Sequence, residues 1–140
     1  MCRITDYDKV FETLVQKTQD YIVGNGLHAQ ILGISGGIDS TVVAAICHEV
    51  SERTGISLIG RSLPTKFNKE GETTTADLVG KAFCTDYLSE SINIPYNAIR
   101  MAFNSREVSA GNSKEYPIAN GNIQARLRMI YLYNLASIHY

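Results

Sequence analysis

Tyr7, Val10, Phe11, Leu14, Val15, Thr18, Tyr21 and Ile22 recur at three- and four-residue steps, which predicts an amphipathic helix from about Asp6 to Val23. Gly24-Asn25-Gly26 stops it. The short apolar run Leu27 to Ile34 then has the pattern of a strand buried on both faces of a parallel sheet. Val42, Val43, Ile46, Cys47 and Val50 form one stripe of a second helix that ends near Gly55. Ile56 to Gly60 reads as a second strand, with Arg61-Ser62-Leu63-Pro64 leaving the sheet. A third helix is expected from about Lys69 to Phe83, with Ala76, Val79, Gly80 and Phe83 on one side, and a third strand within Cys84 to Ile92. Pro95 suits the first turn of a short helix carrying Ala98, Ile99, Ala102 and Phe103. From Asn104 to Gly121 the chain is polar and shows no period, the pattern of a functional loop or local disorder. Helical spacing returns from about Asn122 to Tyr140. Ile123, Leu127, Ile130, Tyr131, Asn134 and Ile138 mark one flank, and Ala125, Met129, Leu132 and Ala136 a second. A terminal helix apolar on two sides must be covered on two sides, by a partner subunit or by further chain.

Strand and helix alternate at the spacing of right-handed crossovers, so the expected fold is α/β, a doubly wound parallel sheet. In such sheets ligands sit beyond the carboxyl ends of the strands, where the strand order switches. The 140 residues fit one domain. Charge is balanced, 13 Lys and Arg against 14 Asp and Glu, with no basic cluster, so no nucleic-acid partner is expected. The longest uninterrupted apolar run, Val42 to Cys47, is far short of a membrane span, and the amino terminus lacks the order of a signal peptide. Cys2, Cys47 and Cys84 have neither disulfide-framework nor zinc spacing, which fits a reducing cytoplasm, and Cys47 reads as a small buried hydrophobe. His28, His48 and His139 are scattered, away from any ligand spacing.

Chemistry concentrates in Gly33-Ile34-Ser35-Gly36-Gly37-Ile38-Asp39-Ser40, between the first strand and the second helix. Paired glycines let successive N–H groups converge on one anion, and the unpaired first-turn N–H groups of a helix add to the same point. Ser35 and Ser40 offer hydroxyl donors. Asp39 would repel a bare phosphate but suits a phosphate-bound Mg2+. The competing reading is an ordinary turn with a capping Asp or Ser. The strand–turn–helix order favours the phosphate site. The spacing is neither the Walker A loop nor the dinucleotide Gly-x-Gly-x-x-Gly.

This turn resembles the pyrophosphate loop of the adenine-nucleotide α hydrolase-like ATP pyrophosphatases, which cleave ATP to AMP and pyrophosphate while adenylating an acceptor. Three more segments narrow the resemblance: Leu58 to Pro64, Val79 to Cys84, and above all Asn120-Gly121-Asn122-Ile123-Gln124-Ala125-Arg126-Leu127-Arg128-Met129. Together they resemble the NAD synthetase family, whose Gly-Asn-x-x-Ala-Arg-x-Arg-Met helix the last segment matches. The likeness runs from the first helix to the last residue. It implies a Rossmann-like sheet of about three strands with flanking helices, residues 1–140 forming a single partial domain.

The activity that the resemblance implies is ATP-dependent amidation of deamido-NAD by ammonia through an adenylated intermediate. ATP and Mg2+ are implied, with a homodimer formed through the C-terminal helix. Asp39 and Ser35 are the candidate catalytic residues, with Asp39 the metal ligand. Gly33, Ile34, Ser35, Gly36, Gly37, Ile38, Asp39 and Ser40 would hold the pyrophosphate, Arg61 and Leu63 would lie near adenine and ribose, and Arg126 would meet deamido-NAD. The competing reading of Arg126 and Arg128 is a pair of solvated helix charges, with an intersubunit or intrahelix ion pair open to Arg128. Lys66 and Lys114 are expected to face solvent, with either able to reach phosphate from a mobile loop. Tyr131 and Tyr133 are expected to pack at an interface. Family members continue into another strand with a Gly-Thr-Asp turn, a magnesium-binding Glu and an ATP-binding lysine, all beyond Tyr140. Three readings therefore stay open: the ligase, an incomplete ATP- or pyrophosphate-binding or dimerisation module, and another ATP pyrophosphatase such as a GMP synthetase or a tRNA-thiolation enzyme.

Overall fold

The structure, a computed structural model, describes residues 6–68, 70–109 and 117–140. Helix α1 (Tyr7–Gly24) starts at Asp6, whose side chain accepts a hydrogen bond from the Lys9 N–H at 2.9 Å. Strand β1 (Ala29–Gly33), helix α2 (Ile38–Thr54), strand β2 (Ser57–Ser62), helix α3 (Glu70–Phe83) and strand β3 (Asp86–Ser89) follow. Two long helices, α4 (Asn93–Ser109) and α5 (Pro117–Ile138), complete the order.

The three strands pair in parallel in the order β1-β2-β3, with Ile31 opposite Ile59 and Gly60 opposite Tyr87. Helices α2 and α3 cover one face, and α5 packs on β1 from the other with α4 beside it. This is the expected α/β arrangement with helices on both faces. Between the sheet and α2–α3, Ile34, Ala44, Ala76 and Val79 form one buried cluster, with Leu32, Phe83, Cys84 and Tyr87 at its margin. A second cluster joins Leu63, Ile92, Tyr96 and Leu127 on the α4–α5 side. A third, of Val15, Ile22 and Val50, fixes α1 to α2. Outside that apolar seam Arg53 clamps Glu12 with two 2.7 Å hydrogen bonds. Among the described residues no helix is long and apolar enough to cross a membrane.

Several expectations shift. Strand β2 runs on through Arg61 and Ser62, because β3 pairs with both. On α2 the inward positions are Ala44, Val50 and Ser51, while Val42 and Val43 are exposed. A small residue is what the close approach of α2 to the sheet accommodates. The polar stretch expected from Asn104 to Gly121 is partly helical: α4 continues to Ser109 and α5 begins at Pro117. Pro117 suits a first helical position, where its missing N–H costs nothing, and docking of Ile123 and Leu127 outweighs the weak propensity of Asn120, Gly121 and Asn122.

Candidate functional site

Strand β1 delivers the chain to the glycine loop with its hydrogen bonding intact: the Ile34 N–H donates to the Arg61 carbonyl at 2.9 Å, and Ile34 is buried. The turn then reverses at Gly36, whose φ is +80°. A Cβ there would stand 2.3 Å from the Glu72 carbonyl oxygen, so α3 packs directly on the bare backbone. Gly37 is the N-cap of α2, in extended conformation and without a side-chain cap. The first-turn N–H groups of α2 therefore point out of the loop without a capping acceptor, the arrangement that favours an anion.

The two serines close the loop on itself. Ser40 Oγ donates to the Gly37 carbonyl at 3.0 Å and accepts from the Ser35 N–H at 3.3 Å. Ser35 Oγ lies 3.0 Å from Ser40 Oγ and accepts from the Gly37 N–H at 3.2 Å. Thr41 Oγ1 donates to the same Gly37 carbonyl at 2.9 Å. The hydroxyls are thus pre-positioned around the turn and can re-aim toward a ligand by rotation about Cβ.

A cavity of about 360 Å³ opens beside the loop. Gly33 to Gly37 form one wall, Arg61 to Pro64 the floor at the end of β2, Asn68, Glu72 and Thr73 the α3 side, and Arg128 and Leu132 the α5 side. The volume is in the range of small-molecule sites, which run from about 300 to 1,000 Å³. The segment between β2 and α3 is held by a polar network. Asn68 Oδ1 accepts from the Thr65 N–H at 2.8 Å, and Thr65 Oγ1 donates to Gln124 Oε1 at 3.1 Å. Arg128 Nε donates to the Leu63 carbonyl at 3.0 Å, and a second guanidinium nitrogen donates to Asn68 Oδ1 at 3.3 Å. Burial pulls the Arg128 guanidinium below its ordinary value, partly offset by the Glu72 charge.

The candidate residues separate into two groups. Gly33, Ile34, Ser35, Gly36, Gly37, Arg61 and Leu63 all line the cavity. Ile38, Asp39, Ser40 and Arg126 lie outside its lining; Ile38, Asp39 and Arg126 are exposed, and Ser40 is half-buried. Arg61 is buried and committed: its guanidinium donates to Asp86 Oδ2 at 2.7 Å and to the Gly60 carbonyl at 2.9 Å. Leu63 is buried with Tyr96 and Leu127, leaving its carbonyl to Arg128.

Arg128 turns into the cavity, and no described carboxylate of its own chain lies within ion-pair distance of it. Lys66 is exposed, its ammonium 5.1 Å from the Phe67 ring centre. Lys114 lies outside the described residues. Tyr131 faces inward and donates to Glu90, whereas Tyr133 is exposed. Cys47 is half-buried, and His48 Nδ1 meets the Phe83 carbonyl at 2.9 Å, a packing role. Among the described residues no group of three or more His, Cys, Asp or Glu could hold a metal ion. Asn68, Glu72, Thr73 and Leu132 were not expected at the site; only the closeness of Arg128 to Arg126 in sequence pointed near it.

The sequence profile of the NAD synthase family matches residues 10–139. An NH(3)-dependent NAD(+) synthetase from Finegoldia magna is 30% identical over 131 residues, 94% of this chain and 49% of that protein. Among solved structures, NMN synthetase from Francisella tularensis superposes with a TM-score of 0.77 at 26% identity, covering 97% of this chain and 52% of that one. NAD+ synthetase from Burkholderia pseudomallei superposes equally, with a TM-score of 0.77 at 25% identity, covering 97% and 60%. The chain spans about half the length of the curated relatives it matches.

Proposed function

This chain belongs to the NAD synthase family, and from that premise we propose that it forms the pyrophosphate-gripping part of an ATP-dependent amidating ligase. The observation that carries the reading is the loop itself. Gly36 is required there twice, by its φ of +80° and by the Glu72 carbonyl 2.3 Å from where a Cβ would lie. A backbone held so closely against α3 keeps the turn in shape at the start of α2, whose uncapped first-turn N–H groups lie beside the cavity.

In this reading Gly33 to Gly37 cradle the β- and γ-phosphates, with the first turn of α2 and the hydroxyls of Ser35 and Ser40 adding donors. Asp39, exposed at the start of α2, would hold Mg2+ carried in by the nucleotide. A single carboxylate with hard oxygen donors suits a cation that keeps most of its ligands as phosphate and water. The cation supplies charge neutralisation when bound. The chain's own groups orient the triphosphate so that an acceptor carboxylate attacks the α-phosphorus in line, expelling pyrophosphate; ammonia then displaces AMP to leave the amide. Arg126 stands exposed where an acceptor could meet it. Deamido-NAD is the acceptor favoured by the sequence relatives. Structural likeness to an NMN synthetase supports a second acceptor, the deamidated mononucleotide. The free thiols of Cys47 and Cys84 suit a reducing cytoplasm. A homodimer through α5 completes the proposal.

Pyrophosphate release tests it. The ligase reading expects release that requires one of the two acceptors, is sustained beyond one turnover only with ammonia, and is abolished by Asp39→Ala. MgATP binding without turnover would reduce the role to a nucleotide-holding module, and absence of MgATP binding by calorimetry would sink the reading.

A further inference from the structure

We infer that Arg128 is the cation that meets the phosphate chain from the α5 side of the cavity. This inference rests on the nucleotide reading of the same site. A guanidinium carries five N–H donors. Two are used in the described structure, by the Leu63 carbonyl and Asn68 Oδ1. The remaining donors have no acceptor among the described residues, and no described carboxylate oxygen stands within ion-pair distance. The side chain is half-buried in the cavity wall, where desolvation opposes its charge. The Glu72 charge offsets that cost only in part, and a charged group partly stripped of water is costly until an anion pairs with it directly.

Arg61, the other guanidinium lining the cavity, is already neutralised by Asp86 at 2.7 Å. Glu72 also lines the cavity and accepts from Asn68 Nδ2 at 3.1 Å, so the anion fits best when carried with Mg2+. The two bonds that Arg128 already makes have a second consequence. They tie the guanidinium plane to the Leu63–Asn68 segment, so its free edge is held in place before the anion arrives.

The probe is inorganic pyrophosphate with Mg2+, added to the full chain and followed by calorimetry and by NMR of the arginine Nε–H signals. Pyrophosphate is expected to shift the Arg128 signal, and Arg128→Gln is expected to weaken binding by about 10- to 100-fold, the worth of a charge-assisted hydrogen bond or two. Arg128→Lys should recover part of the loss, while Lys81→Gln, which removes an exposed charge of α3 outside the cavity lining, should leave the affinity unchanged. A merely structural arginine would lower the unfolding midpoint while leaving the affinity of the folded variant intact. That result, or an unmoved Arg128 signal in the wild-type chain at saturating pyrophosphate, overturns the inference while leaving the site standing. Failure of the wild-type chain to bind either pyrophosphate or MgATP overturns both together.

Discussion

Gly36 and Gly71 both lie against or within α3, yet a methyl group does opposite things at the two. At Gly36 it meets the Glu72 carbonyl oxygen at 2.3 Å with φ at +80°, so neither the backbone nor α3 can yield cheaply. Gly36→Ala is expected to cost about 2 kcal/mol or more, since left-handed strain alone is worth about 1–2 kcal/mol. At Gly71 the added carbon meets nothing within 4 Å. Gly71→Ala is expected to stabilise by about 0.5 kcal/mol through lost freedom of the unfolded chain. Urea unfolding of the two variants in one buffer decides it, and equal effects would refute the packing argument. A third glycine, Gly80, serves the sheet: the Tyr87 ring lies 2.1 Å from where its Cβ would be.

At the scale of elements, β3 is held to β2 and α3 by groups whose charge depends on pH. Tyr87 Oη donates to Asp77 at 2.8 Å, and burial together with that bond pushes the phenol from 10.0 to about 12. Burial, and Cys47 nearby, push the Cys84 thiol from 9.0 to about 11. Both groups are more readily ionised in the unfolded chain, which binds fewer protons than the native state as pH rises. Their contribution is therefore complete below pH 9 and is lost upward, Cys84 between about 9 and 11 and Tyr87 between about 10 and 12. Urea midpoints across that range should fall, and Tyr87→Phe should flatten the upper part of the decline; an unchanged slope would show that Tyr87 is not its source.

Across the same strands Asp86 partners the buried Arg61 at 2.7 Å. Its own carboxylate is half in solvent, so Asp86→Asn is expected to cost about 1.5–3 kcal/mol, the worth of a hydrogen bond to a charged group. Chemical denaturation measures it, and a cost under half of that would mean water replaces the carboxylate.

These elements also show which parts were legible in advance. The glycine loop, the apolar strands and the inward side of α3 were, because each is specified within a few residues. The inward face of α5 was not. Arg126 and Arg128 sit roughly 200° apart around a helix, and with apolar residues on both flanks only the docked helix shows which arginine turns inward. The same holds for α2, where Ala44 rather than the bulkier Val42 or Val43 faces the sheet.

For the whole molecule, the outward flank of α5 is the surface that matters most. Met129, Ile130 and Tyr133 are 50%, 58% and 72% exposed, on the same helix that buries Leu127 among Leu63, Ile92 and Tyr96. Covering a large apolar side chain is worth about 1.5–3 kcal/mol, so a self-complementary pairing of this stripe about a two-fold axis brings each residue's gain twice. A dimer through α5 would also fix the helix that carries Arg126 and Arg128, coupling assembly to the cavity. Light scattering at high micromolar concentration is expected to give the dimer mass, and a monomer there would refute the proposal. Met129→Asp combined with Tyr133→Asp should yield the monomer with native circular dichroism. Ile38, Val42 and Val43 form a second exposed apolar patch at the start of α2. If charges at Val42 and Val43 dissociate the dimer while the α5 pair does not, the interface lies across the glycine loop instead, and pyrophosphate would then be expected to compete with dimerisation.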